Sequence, residues 1–422
     1  MSDQTTFVGI DVGSSKIGTL IAEVDENYTT HVIGVGVASG SGVRNGVVVN
    51  IDEAVNTVQA SVEKAERVSG FKIMSAYLTV SGSQVSSLNN RGVVAIANDD
   101  KTIDSEDVAR AVESARIINL TPNREIVHVL PRHFTIDGQD GVRNPLRMIG
   151  YRLDVETHIV TTALTSVQNL TKCVRQLGIE VEELVVSPLA AGEAVLTPEE
   201  KELGVMVADI GGGTTDLAIY NEGSVWQTKV LPFGGEQVSK EIAVQLRTPL
   251  AEAEALKVRH GNCRPSEIDA EEVIDAEIFG QGRSARIGRR QLCEIIEDRS
   301  RELIRQIDGE ITRLGKDAVL PAGLVLAGGV AHTPGLAELA SETLGLPVRV
   351  GVPNNLSGLT DNITSPSHAA GVGLVLWAAK QATSGVPVSQ PGTSSWQDQA
   401  LPDSNNSDVA GKVRTWLKAF LP

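Results

Sequence analysis

Three short stretches of this chain carry the residue types needed to hold a polyphosphate. The first is Asp11-Val12-Gly13-Ser14-Ser15-Lys16. Gly13 lets the backbone approach a ligand, and the exposed N–H groups, the Ser14 and Ser15 hydroxyls and the Lys16 ammonium could cradle phosphate oxygens. Asp11 could hold a Mg2+ ion through water, because Mg2+ takes oxygen ligands and keeps several of its waters. The second stretch is Asp209-Ile210-Gly211-Gly212-Gly213-Thr214-Thr215-Asp216. It repeats the logic, with an acid at a strand end, a glycine turn and hydroxyl side chains. Asp209 is the second candidate for Mg2+. Three consecutive glycines cost conformational entropy, so a plain turn rarely uses them. The third is Leu324–Ala331, a buried-type strand ending in Gly328-Gly329, which permits flat contact with a base or phosphate. Each has a plain alternative: an ordinary hairpin, a loose loop and a tight strand-to-helix turn. The third stretch is not a Rossmann fingerprint, and the lack of a GxxxxGK[ST] sequence excludes a P-loop.

These turns need strands to carry them. Thr6–Ile10 and Gly18–Val24 flank the first turn, and Val32–Val37 and Gly46–Asn50 continue the β-prone pattern. Asp52–Val68 then reads as a helix with Ala54, Val55, Val58, Val62, Ala65 and Val68 on one side. Tyr77–Ile159 is less regular, with strands expected at Val93–Ile96 and Glu125–Phe134 and a helix at Ser105–Ile117, where Ser105 is the N-cap candidate. It reads as an inserted subdomain. Gly204–Ile210, Leu217–Tyr220 and Ser224–Leu231 form a second strand group, followed by a helix from about Gln237 to Leu246. Ala251–Leu314 is charged and mostly helical, and Gly371–Lys380 closes the folded part as a helix. The two halves repeat one theme of strand, glycine turn, strand, which points to two similar domains facing each other.

The chain has 422 residues, enough for two to four domains or subdomains. Its hydrophobic share of 41% supplies a core, and only 3% are aromatic, so that core is aliphatic. The net charge of −16 argues against nucleic acid as the main partner. Cys173, Cys263 and Cys293 form no CxxC pair or metal cluster and read as reduced thiols. The N-terminus has no leader pattern, and no apolar run is long enough to cross a bilayer.

Taken together, the three stretches resemble the phosphate-1, phosphate-2 and adenosine motifs of the superfamily of actin, the heat-shock chaperone ATPases and the sugar kinases. The resemblance implies an α/β, actin-like two-domain ATPase fold closing on Mg-ATP. It adds Glu193, in Gly192-Glu193-Ala194-Val195-Leu196, as a water-positioning residue on a first connecting helix, and Ala369-Ala370-Gly371 as the start of a second. Glu254 and Lys257 resemble an acid and a lysine that approach the ribose; a solvated helical ion pair is the alternative.

Within that superfamily the chain resembles the FtsA family, the bacterial cell-division actin homologues. Gly141-Val-Arg-Asn144-Pro145-Leu-Arg-Met148-Ile-Gly150, the Gly234-Gly235 turn and Ala253-Glu254…Lys257…Gly261 carry the resemblance over about residues 6–380. Leu146 and Arg147 depart from the usual Ile-Gly pair. The resemblance implies a first domain at 1–76 and 160–200 with a return at 361–380, and an inserted subdomain at 77–159. It implies a second domain at 201–360, with a helical subdomain at about 240–314. It further implies ATP binding with at most weak ATPase activity, self-assembly into head-to-tail filaments, tethering of FtsZ to the inner face of the cytoplasmic membrane at the division site, and contacts to later division proteins through the insertion.

After Lys380 the composition changes. Residues 381–407 are rich in Ser, Pro, Gly, Thr, Gln and Asn and read as a flexible linker. In 408–422, Val413, Trp416, Leu417 and Phe420 fall on one helical stripe, with Leu421 beside it and Lys412, Arg414 and Lys418 as the basic residues. Such a helix suits an anionic membrane surface, and members of the FtsA family also end in a linker and a membrane-targeting helix. Docking of this helix on the protein itself or on a partner is the alternative. The rival readings of the whole chain are a PilM-like pilus-assembly adaptor and a small-molecule kinase. The adaptor would lack the terminal helix, and the kinase would need a catalytic Asp that nothing marks.

Overall fold

In a computed structural model of the chain, the described residues are 5–25, 29–279, 285–314, 320–354, 356–360 and 363–384. Thr5–Val12, Lys16–Val24 and Thr30–Ser39 form an antiparallel meander. Ser75–Val80 lies parallel to the first of these strands, and Glu180–Val186 lies parallel to Ser75–Val80. With Leu356–Gly358 at the far edge, this makes a six-stranded sheet. The second sheet repeats the plan. Val205–Ile210, Thr215–Asn221 and Ser224–Leu231 form its meander, Leu324–Ala327 lies parallel to the first strand, and Val348–Val350 follows. The strand–turn–strand repeat of the sequence is thus a repeat of topology.

Helix Ile51–Ser69 starts at Asn50, whose side chain accepts from the Glu53 N–H, and stops at Gly70 in the left-handed region. Ala54, Val58, Val62 and Ala65 are buried, while Val68 in the last turn is exposed. The helix lies directly on strand Thr30–Ser39: a Cβ on Gly36 would come within 1.9 Å of the Ser61 carbonyl oxygen. Helix Ser187–Val195 packs against strands of both sheets, and helix Ala369–Ser384 packs on it and on the first sheet. The former is apolar almost all round and almost wholly buried, as a helix packed on all sides must be. Along Val205–Ile210, Val205 and Val207 join the core of the first domain, while Met206, Ala208 and Ile210 join that of the second. The two-residue period of the strand assigns its faces to different cores.

The insertion is a four-stranded antiparallel sheet in the order Ser86–Ala95, Arg152–Ala163, Arg124–Ile136, Gln139–Val142, backed by helix Ser105–Arg116. That helix is capped by Asp104 in a capping box with Asp107, so Ser105 is its first helical residue and not its cap. Residues 77–80, read as the start of the insertion, belong to a strand of the first domain's sheet. The region 251–314, read as mostly helical, also contains a hairpin of Val273–Ala276 and Ala285–Gly288. The last helix runs to Ser384, beyond Lys380, because Gln381 is buried and bonds Glu183. All three cysteines are free and buried. Residues 385–407 of the linker and the terminal helix at 408–422 lie outside the described residues.

Candidate functional site

The first turn joins Thr5–Val12 to Lys16–Val24. Gly13 donates its N–H to the Lys16 carbonyl at 3.1 Å, and a Cβ there would sit 2.8 Å from that oxygen. Ser14 Oγ accepts from the Gly46 N–H at 3.1 Å, which fixes the turn against the loop before helix Ile51–Ser69. Lys16 Nζ donates to the Ser367 carbonyl at 2.5 Å, in the short turn Pro366–His368 that leads into the second connecting helix. Thr79 Oγ1 donates to Asp11 Oδ1 at 2.9 Å and accepts from the Val12 N–H at 2.9 Å.

The second turn, Gly211–Thr214, faces the first across a cavity of about 1040 Å³. The approach is close. A Cβ on Gly212 would lie 3.0 Å from Ser15, and one on Gly213 would lie 2.8 Å from Ser14 Oγ and 3.0 Å from the Asn45 backbone. The turn is held from behind by helix Gly235–Leu246, where the N–H groups of Gly235 and Glu236 donate to the Gly211 and Gly212 carbonyls at 2.9 and 2.7 Å. The third stretch closes this side. Gly328 has φ +83° and lies so near Ile210 and Asp209 that a Cβ would sit 2.4 Å from the Ile210 carbonyl, so only glycine fits. Leu250, Val258, Val330 and Pro334 form an apolar end, beside which Lys257 Nζ bonds Glu254 at 2.7 Å, Ser239 at 2.8 Å and the Gly235 carbonyl at 2.9 Å.

Where the two turns meet, Asp209 feels the charges of Asp216 and Asp11, and Asp216 that of Asp11. Burial raises the Asp11 pKa, partly offset by Lys16 and Thr79. Burial, with Asp216 and Asp11 nearby, pushes Asp209 well above the carboxylate range, against the pull of Lys16. Burial pushes Asp216 up to about 6, partly offset by hydrogen bonds from Ser81 and Thr214. Burial lowers the Lys16 pKa, and Asp11 and Asp209 oppose that shift. The centre therefore holds more acid than base in a poorly hydrated place, an arrangement that attracts a cation.

Of the residues singled out in the sequence, Asp11, Gly13, Ser14, Ser15, Lys16, Asp209, Gly211, Gly212, Gly213, Thr214, Glu254, Lys257, Gly328 and Gly329 all line this cavity. Two others are placed elsewhere. Thr215 is fully buried, and its hydroxyl donates to the Phe233 carbonyl at 2.8 Å, because the strand pleat turns it to the opposite face from Asp216. Glu193 is not in the cavity wall. It lies at the hinge, 3.0 Å from Lys201 and 3.4 Å from Lys380. Burial would raise its pKa, but the two lysines outweigh that and hold it at about 2. From its helix it is Ser187 that reaches the cavity. Ser81 and Asp216 were not singled out as site residues. Ser81 Oγ donates to Asp216 Oδ1 and Oδ2 at 2.7 and 2.8 Å, and Thr214 Oγ1 bonds the same carboxylate at 2.8 Å. The terminal residues Lys412, Val413, Arg414, Trp416, Leu417, Lys418, Phe420 and Leu421 lie outside the described residues.

This architecture has known relatives. The family described as Cell division protein FtsA matches residues 206–373, and the SHS2 domain inserted in FtsA matches residues 82–161. A Pseudomonas aeruginosa protein named Cell division protein FtsA is 37% identical over 412 residues, covering 98% of this chain and 97% of the relative. The chain belongs to the FtsA family. The FtsA proteins of Bacillus subtilis and Escherichia coli are each 35% identical, over 90% and 89% of this chain and 85% and 90% of their own lengths. This FtsA-family chain is therefore an actin-like cell-division protein, as its motifs implied. Among solved structures, a chain of the PilM–PilN type IV pilus biogenesis complex has a TM-score of 0.65 at 17% identity, over 88% of this chain and 98% of that one. MreB5 of Spiroplasma citri bound to ADP has a TM-score of 0.54 at 12% identity, over 90% and 98%. These two likenesses are of fold alone, so the pilus adaptor weighed as a rival is a distant structural neighbour.

Proposed function

We propose that the cleft of this FtsA-family chain binds ATP with Mg2+, and that the loaded protein assembles into filaments that tether FtsZ to the inner face of the cytoplasmic membrane. The observation that carries the nucleotide reading is the apposition of the two glycine turns, Ser14-Ser15 against Gly212-Gly213, across one large cavity. Backbone N–H groups of both turns, the two serine hydroxyls and Lys16 would bind the phosphates. Glu254, Lys257 and Ser239 would take the ribose, and Leu250, Val258, Val330 and Pro334 the base. The surplus of acid over base fits a divalent cation. Among the described residues no three His, Cys, Asp or Glu side chains are grouped to chelate a metal. Asp11 and Asp209 would hold Mg2+ through waters that the ion keeps, and the ion would supply charge neutralisation for the phosphates. Asp216, bonded to two hydroxyls, would orient rather than chelate.

The membrane reading rests on the sequence of 408–422, with an apolar stripe of Val413, Trp416, Leu417 and Phe420 and basic Lys412, Arg414 and Lys418. One short helix binds weakly, and a filament would multiply it. Among the described residues no helix is long and apolar enough to cross a membrane. The test is ATP-dependent co-sedimentation with anionic vesicles, comparing the full chain with one ending at Ser407, with and without purified FtsZ. Retention of full-length protein and FtsZ, lost on truncation, is the expected result. Equal sedimentation of both chains would overturn the tail reading. Failure to bind ATP would overturn the cleft reading.

A further inference from the structure

Ser81 stands at a junction that the nucleotide reading does not use. It follows the last residue of strand Ser75–Val80, in the first domain, and directly precedes the inserted subdomain. Its hydroxyl is held by Asp216 and Thr214 of the second domain, at 2.7–3.1 Å. Gly46, whose N–H holds Ser14 of the first turn, lies against the Ser81-Gly82 backbone so tightly that a Cβ on it would be 2.6 Å from the Gly82 nitrogen. The root of the insertion therefore touches the second phosphate turn directly and reaches the first through Gly46.

The insertion is also fastened to the second domain. Ser87 Oγ donates to the Thr228 carbonyl at 2.8 Å, and His158 Nε2 lies 3.0 Å from Thr228 Oγ1. Ser224 Oγ donates to the Arg132 carbonyl at 2.8 Å, and the Arg132 guanidinium sits 4.1 Å from the Trp226 ring centroid. The strand so gripped, Ser224–Leu231, runs into Gly234-Gly235-Glu236, where the Gly235 and Glu236 N–H groups hold the second turn from behind. Two mechanical routes thus lead from the insertion to the same turn, and one of them passes through a single hydroxyl.

We propose that Ser81 is a positioning residue that couples the occupant of the cleft to the placement of the inserted subdomain. This rests on the nucleotide reading above. Phosphate arriving at the second turn competes with Ser81 for the Thr214 hydroxyl, and the waters of the cation compete with it for Asp216. When Ser81 yields, the segment 81–85 shifts about Gly82, which has φ +111°, while the far face of the insertion stays on strand Ser224–Leu231. The insertion is then levered relative to the first domain.

The test is hydrogen–deuterium exchange over residues 82–161 of the full chain, with no nucleotide, with Mg-ADP and with Mg-ATP. Each chain is measured at nucleotide concentrations shown by titration to saturate it. The native chain is expected to show at least a twofold change in exchange rate between ADP and ATP in that segment. Ser81→Ala is expected to abolish the difference, and Ser81→Thr, which keeps the hydroxyl, to restore it. Should Ser81→Ala not fold, Gln84→Ala, which frees the Ser81 carbonyl held at 2.8 Å, is expected to at least halve the difference. A native chain that binds nucleotide without any change in the insertion overturns the coupling, as does a Ser81→Ala or Gln84→Ala chain with the full difference. Loss of all nucleotide binding in Ser81→Ala overturns it too, by making Ser81 part of the seat. A native chain that binds no nucleotide sinks the cleft reading instead, which keeps the two failures apart.

Discussion

Gly373 of the last helix rests on the backbone of Ala190 in the first connecting helix, so closely that a Cβ on Gly373 would come within 1.7 Å of the Ala190 carbonyl oxygen. The two connecting helices therefore meet backbone to backbone, with no side chain between them, at the point where the two domains hinge. Gly373→Ala must drive them apart. Overpacking of this kind costs about 1–3 kcal/mol, occasionally more. The expected outcome is a lower melting temperature together with weaker nucleotide binding, because Ser187 and Ala370 at the ends of these helices line the cleft. A stable variant with native affinity would show that the hinge has slack.

Gly213 has the same character on the ligand side. Its missing Cβ is what lets the second turn reach Ser14 and the Asn45 backbone. Gly213→Ala is expected to wedge the turns apart at a cost of about 1–3 kcal/mol, or roughly 5- to 150-fold in nucleotide affinity. Fluorescent-nucleotide titration measures this directly. Unchanged affinity would mean that the phosphates do not sit between the turns.

Lys16 carries the charge test. It is the ammonium set against Asp11 and Asp209, and it is anchored on the Ser367 carbonyl. Lys16→Ala removes a charge-assisted contact of about 1.5–3 kcal/mol, so Mg-ATP should bind roughly 10- to 100-fold more weakly. The same change leaves the acids less balanced, so their affinity for protons should rise in the unliganded chain. Isothermal titration calorimetry at several pH values reads both effects.

What the sequence disclosed and what it hid divide along physical lines. The two apposed turns were legible because glycine clusters after buried strands are rare in plain turns, and the doubled motif announced the doubled sheet. Ser81 was not legible, since one serine after a strand looks like any turn residue until Asp216, far away in sequence, is brought to it. Glu193 shows the limit of motif position: the helix was found, but in a helix buried on every side periodicity cannot say which face meets the ligand. Thr215 and Asp216 are neighbours, and only the register of the strand decides which points into the cleft. Asp104 displaced Ser105 as cap because a capping box needs a partner three residues on, and Asp107 supplies it.

Glu193 gives a prediction that separates hinge from chemistry. Its carboxylate balances Lys201 and Lys380, whose side chains are 13% and 42% exposed. Glu193→Gln removes the carboxylate that Lys201 and Lys380 share, which should cost about 1–3 kcal/mol. The melting temperature should fall while Mg-ATP affinity stays at the native value, since the residue is outside the cavity. A large loss of ATP turnover at native stability would instead return Glu193 to the water-positioning role.

Glu183 gives the pH dependence. It lies in strand Glu180–Val186, where Gln381 donates to it at 2.9 Å and the Trp377 indole at 3.4 Å, both from the end of the last helix. Burial, partly offset by those two donors, pushes its pKa up to about 8 from an ordinary value of 4.5. The folded chain thus keeps a proton that the unfolded chain gives up. The stability this proton contributes is full below about pH 4.5 and is lost as pH rises through about 8, so the contribution falls steadily between them. Glu183→Gln fixes the neutral form and keeps an acceptor for both donors. Native protein should therefore melt lower at pH 8 than at pH 6.5, and the variant should show a smaller drop over the same interval. Differential scanning fluorimetry of the two chains across that range decides it: parallel curves would mean that Glu183 is already ionised in the folded protein.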